Sequence, residues 1–116
     1  MILGEIPMPT TLEPLQIQVA TRARFDRLAA DWKKRSRYFS NGARMAYLKP
    51  YQHIIGMGWS AVPLILLEMA REPDQWFWAL ESITEENPVP SDLVGNVRES
   101  TNAWLEWGRS RGVIES

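Results

Sequence analysis

An all-α fold is what the sequence predicts: a compact bundle of about five to six short helices around a central apolar helix at 61–71, with an extended N-terminal arm. Three observations lead there. Apolar residues recur at three- and four-residue spacing along most of the chain, which builds one face of a helix. Prolines and glycines cut these stretches into short pieces. The chain has 116 residues, 45% hydrophobic and 23% charged, which suits one globular domain rather than a disordered chain. Folding at that length buries roughly two-thirds of the unfolded surface, enough for one core. The expected division is residues 1–20 as the arm and 21–116 as a single helical domain.

In the arm, Pro7, Pro9 and Pro14 forbid a continuous helix, yet Ile2, Leu3, Ile6 and Met8 are too apolar for a solvated tail. Leu15-Gln16-Ile17-Gln18-Val19 alternates with period two, the signature of a strand. Such a strand either lies across its own domain or pairs with another chain by strand addition. The first helix is expected from about Thr21 to Arg37, with Phe25, Leu28, Ala29 and Trp32 on one face. Arg24, Arg27, Asp31 and Lys34 take the other side.

Ser40 and Asn41 read as caps for a short helix ending near Tyr47. Pro50 suits the first turn of another, through Ile55, and Gly56 and Gly58 mark a turn. The most buried helix is expected at Ala61–Arg71, with Ser60 as N-cap and Pro63 in its first turn. Val62, Leu64, Ile65, Leu66 and Leu67 leave it no polar face before Glu68. Glu72-Pro73 is expected to start the next helix, to about Glu85, followed by a stiff Asn87-Pro88-Val89-Pro90 loop. The last helix, about Asn96 to Arg109, carries the stripe Val97, Thr101, Trp104, Leu105 and Gly108.

Composition narrows the function classes. With no cysteine, disulfide scaffolds, thiol catalysis and cysteine-ligated metals are excluded. With one histidine, His53, a metal site is not expected, and no cofactor is implied. The longest apolar run, Ala61–Leu67, is far short of the roughly 20 residues of a spanning helix, so no membrane contact is expected. The N-terminus lacks the basic start of a signal peptide, and the expected location is the cytoplasm.

Six tryptophans are the most informative feature. On a helix starting at Pro73, Trp76, Phe77, Leu80 and Ile83 share an arc, while Trp78 turns away among Asp74, Glu81 and Glu85. A large aromatic off the core stripe is either a candidate partner-binding anchor or is covered by another element such as the N-terminal arm. Trp107, at the edge of the last stripe, is a weaker candidate, and Ile2, Leu3 and Ile6 of the arm complete the set. The first expectation is therefore a non-enzymatic protein-interaction module, an adaptor or small regulatory subunit, binding a protein partner or a second copy of itself.

The alternative is a nucleic-acid-associated accessory protein. Nine basic residues stand against Asp26 and Asp31 between Thr21 and Pro50. Arg22, Arg24, Arg27, Lys33, Lys34, Arg35 and Arg37 precede Tyr38 and Phe39, a footprint for phosphates and stacked bases. These cations surround the helix, however, and a pI near 5.8 does not suit a dedicated DNA binder. The acidic second half offers a simpler reading, two halves folding against each other. A helix-turn-helix at Glu72-Pro73 is rejected, because its reading face would be aromatic and acidic.

Catalytic signals are thin. Gly56-Met57-Gly58 lacks the strand and third glycine of a dinucleotide fingerprint. His53 has no partner group in sequence, and Glu68 reads either as a carboxylate of raised pKa or as the first residue to reach solvent.

Several strings together resemble one family: Tyr51-Gln52-His53-Ile54-Ile55-Gly56-Met57-Gly58, Pro63-Leu64-Ile65-Leu66, Trp76-Phe77-Trp78-Ala79-Leu80, Asn87-Pro88-Val89 and Trp104-Leu105-Glu106-Trp107-Gly108. They are similar to a family of small, Trp-rich, helical bacterial proteins with no established activity. The resemblance covers about residues 25–112 and implies a bacterial or phage-like source. That family carries histidines where this chain has Lys49 and Gln75, a departure that counts against a histidine-based mechanism.

Overall fold

The computed structural model describes residues 14–115. Among them the fold is all-α, with six α-helices and no strand. Helix α1 spans Pro14–Ser36, α2 Gly42–Ala46, α3 Lys49–Gly56, α4 Val62–Arg71, α5 Phe77–Thr84 and α6 Val97–Ser110. Short 3₁₀ turns at Gly58–Ala61 and Ser91–Leu93 lead towards α4 and α6.

The strand expected at Leu15–Val19 is instead the start of α1, which reaches back to Pro14 and into the predicted arm. A strand must find a neighbour for its backbone N–H and C=O groups, whereas a helix satisfies them internally. With no strand among the described residues to pair with, the helix satisfies these groups, and Pro14 sits where a helix tolerates a missing N–H. Leu15, Ile17 and Val19 consequently stay exposed on the first two turns. Residues 1–13, which hold Ile2, Leu3 and Ile6, lie outside the described residues.

Farther along α1 the predicted face holds: Phe25, Ala29 and Trp32 are buried, packed against α3. Asn41 caps α2, accepting from the N–H groups of Ala43 at 2.8 Å and Arg44 at 3.3 Å. Pro50 lies in the first turn of α3, as its fixed φ suits. Gly58 then takes φ +70, a conformation that residues with a Cβ rarely adopt. Ser60 does not cap α4. The chain enters α4 directly from the 3₁₀ turn, and the Ser60 hydroxyl donates to the Met57 carbonyl at 2.9 Å.

Helix α4 supplies the centre of the core, with Val62, Ile65, Leu66 and Met69 fully buried. Its apolar surface is not wholly enclosed, since Leu67 is exposed. Opposite it, Gly108 of α6 permits a close approach: a Cβ there would lie 2.7 Å from the Leu66 Cδ1 methyl. A side chain there would force Leu66 to shift.

The helix expected from Pro73 begins four residues later, at Phe77. Glu72 precedes a proline and is driven out of the helical region, to φ −150 and ψ 96. Residues 72–76 therefore form a loop, and α5 starts only after Trp76. No single helix among the described residues is long and apolar enough to cross a membrane.

Candidate functional site

The site is built on an aromatic cluster. Trp76 is fully buried, its ring centroid 4.5 Å from Trp32, 5.8 Å from Phe25 and 5.8 Å from Tyr51, nearly parallel to the last. These rings join α1, α3 and the start of α5. Aromatic pairs at such distances add to the hydrophobic gain of burying them.

Tyr51 fixes the rotation of α5. Its hydroxyl donates to the Gln75 carbonyl at 2.9 Å and accepts from the Ala79 N–H at 2.9 Å. Burial pushes the phenol well above its ordinary pKa of 10, so it stays protonated and able to play both parts. With Trp76 held inside and the helix locked at Ala79, Trp78 is turned outward and is 51% exposed. That outward placement matches the sequence expectation, although Asp74 lies in the preceding loop rather than on the helix. Its carboxylate accepts from the Gln75 N–H at 2.7 Å.

Beside Trp78 lies a cleft of about 240 Å³ between α5, the 87–95 loop and the start of α6. Phe77, Trp78, Val89 and Val94 supply its apolar walls, and Glu81 and Asn87 its polar edge. Its volume is below that of a typical small-molecule pocket, roughly 300–1,000 Å³, and suits a single inserted side chain. Glu81 has no ion-pair partner among the described residues and sits three residues from Trp78 on the same side of α5. A carboxylate and an indole lining one cleft can together receive a cationic side chain.

Trp107 is not a surface anchor. It is 7% exposed, edge-on to Trp104 with centroids 5.1 Å apart, and its indole N–H donates to Glu86 at 3.1 Å. Arg111 covers its ring at 5.3 Å and bonds the other Glu86 oxygen at 2.9 Å. The hydrogen bonds from Arg111 and Trp107 hold the Glu86 carboxyl below its ordinary range. The edge of a stripe, read from periodicity, becomes interior once a neighbouring loop folds over it. Trp59, by contrast, is 52% exposed on the 3₁₀ turn, a placement that no periodic pattern before α4 signals.

A second hollow, about 770 Å³, lies between the N-terminal half of α1 and the start of α4. Leu15, Val19, Pro63 and Leu64 line it, with the Arg22–Asp26 ion pair on its rim. Neither His53 nor Glu68 lines either hollow. His53 is exposed at the end of α3.

Glu68 is not a carboxylate of raised pKa. Burial pushes it upward, but hydrogen bonds from Arg71 and Lys33 outweigh that and hold it below its ordinary value. No group of three or more potential metal ligands occurs among the described residues.

The seven basic candidates separate into two sets. Arg22 pairs with Asp26 at 3.1 Å, Arg35 with Asp31 at 2.8 Å, and Lys33 reaches across to Glu68 and Glu72. Arg24, Arg27, Lys34 and Arg37 are exposed and have no ion-pair partner among the described residues. The two halves of the chain thus neutralise each other at Lys33 alone of the seven.

Compared with models of protein families, with curated proteins and with solved structures, the chain finds no match.

Proposed function

We infer that the chain is a non-enzymatic protein-interaction module, an adaptor or small regulatory subunit, whose principal contact is the cleft beside Trp78. The observation that carries this reading is a half-exposed indole on a helix whose rotation Tyr51 fixes, next to a cleft of one-side-chain size. A preorganised aromatic anchor loses little conformational freedom on binding. The partner side chain that fits is an arginine or lysine, its stem on Phe77 and Val94 and its charge between Trp78 and Glu81. The apolar arm, with Ile2, Leu3 and Ile6, is the second proposed contact, and the exposed Leu15, Ile17 and Val19 beside it favour that role. A second copy of the chain is a candidate partner alongside a different protein.

The test is affinity capture from the source cell with the natural chain and with Trp78→Ala, followed by measured binding of each captured protein. Trp78→Ala is expected to change stability by less than about 1 kcal/mol and to weaken binding at least tenfold. Unchanged binding, or a stability loss of several kcal/mol in place of a binding loss, overturns the reading.

A further inference from the structure

We propose that the outer face of α1 is a binding site for single-stranded nucleic acid, separate from the Trp78 cleft. In sequence the cations of this helix surround it; in the structure their ion pairs sort them. At about 100° per residue, Arg22 and Lys33 fall on one flank of the buried Phe25–Trp32 face and Arg35 on the other. All three are neutralised by carboxylates. Of the remaining helical cations, Arg27 and Lys34 project away from that buried face, while Arg24, within about 80° of them, lies towards the Arg35 flank and lines a shallow hollow with Gly56 and Met57. Arg37 follows one residue beyond the helix end, and Asp31, in the same arc, has its charge taken up by Arg35. What remains is a stripe of three unpaired helical cations, with the unpaired Arg37 just past the helix end.

The stripe has the dimensions of a phosphate chain. Arg24 to Lys34 covers about 15 Å along the helix, long enough to meet more than one successive phosphate of a strand. At its end stands Tyr38, 83% exposed, a free ring on which a base can stack. Arg44, exposed over the Phe39 ring at 5.6 Å, adds a further cation nearby. Phosphates for the cations and a base for the tyrosine describe a single strand better than a duplex, whose bases are already stacked.

The experiment is fluorescence anisotropy of the full chain with an end-labelled 20-nucleotide single-stranded DNA, from about 20 to 300 mM salt. The natural chain is expected to bind, with log K falling against log salt at a slope of at most about −2.8, four cations at about 0.7 each. Arg27→Glu with Lys34→Glu should weaken binding more than tenfold, and the milder Arg27→Gln with Lys34→Gln should flatten the slope by about 1.4. Tyr38→Ala should weaken binding by roughly tenfold with the slope unchanged. Trp78→Ala should bind as the natural chain does, so this site and the protein-binding cleft can fail independently. No binding at the lowest salt, binding indifferent to the charge changes in a chain of unchanged helicity, or salt-sensitive self-association in place of DNA binding would each overturn the proposal.

Discussion

The hydroxyl of Tyr51 contacts both sides of the junction where the 72–76 loop becomes α5, donating to Gln75 and accepting from Ala79. Removing that oxygen leaves an N–H and a C=O without their partner at a buried junction. Each such loss costs about 1–3 kcal/mol. Tyr51→Phe is therefore expected to lower the unfolding free energy by about that amount in chemical denaturation, and to loosen the position of Trp78. A Tyr51→Phe chain of unchanged stability would remove this account of how the outward indole is fixed. A buried indole N–H ordinarily finds an acceptor, and that of Trp32 does, donating to the Met45 carbonyl at 2.8 Å. Trp76 and Trp104 have none among the described residues.

At the level of elements, the sequence was most legible where apolar spacing was long and unbroken. The buried face of α1 around Phe25 and Trp32, the central α4 and the α6 stripe all follow from periodicity. Prolines marked the start of α3 correctly because at its first turn no N–H is needed. The same residue misled at 73, where its restraint on Glu72 ends α4 instead of opening α5. Two-residue alternation misled at Leu15–Val19, because alternation specifies a strand only where a neighbouring strand exists to complete it. Of the candidate site, the outward turn of Trp78 was legible. The cleft was not, since it needs the 87–95 loop folded beside α5, a contact between segments that no local pattern encodes. Trp107 was misplaced for the same reason: Glu86 and Arg111 close over it from outside its own stripe.

Across the molecule, carboxylates at two separate places hold elements together. Glu68 and Glu72 meet Lys33 and so tie the end of α4 to α1, while Glu86 ties the loop after α5 to Trp107 and Arg111 on and just beyond α6. Glu86 and Glu72 are lowered first by their hydrogen bonds, to Arg111 and Lys33 respectively; Glu68 is lowered despite its burial. Groups whose folded pKa lies below the unfolded 4.5 stabilise the native state above that pH. The contribution is lost as pH falls through their folded values. The melting temperature is accordingly expected to drop between about pH 5 and pH 3, and Glu86→Gln to make that drop shallower. A melting temperature flat across that range would show that these pairs contribute nothing. Lys33 has the opposite sign: its raised pKa stabilises below 10.5, and that share disappears as pH rises through the folded value.

The unequal exposure of the six indoles gives the chain a built-in optical reporter. Trp32, Trp76 and Trp104 are sealed, Trp107 nearly so, and only Trp59 and Trp78 are about half open to solvent. In a Trp59→Phe chain, iodide is expected to quench emission from one indole, and a ligand seated in the cleft to shield that emission and shift it to the blue. If quenching persists undiminished while a partner is bound, that partner sits elsewhere.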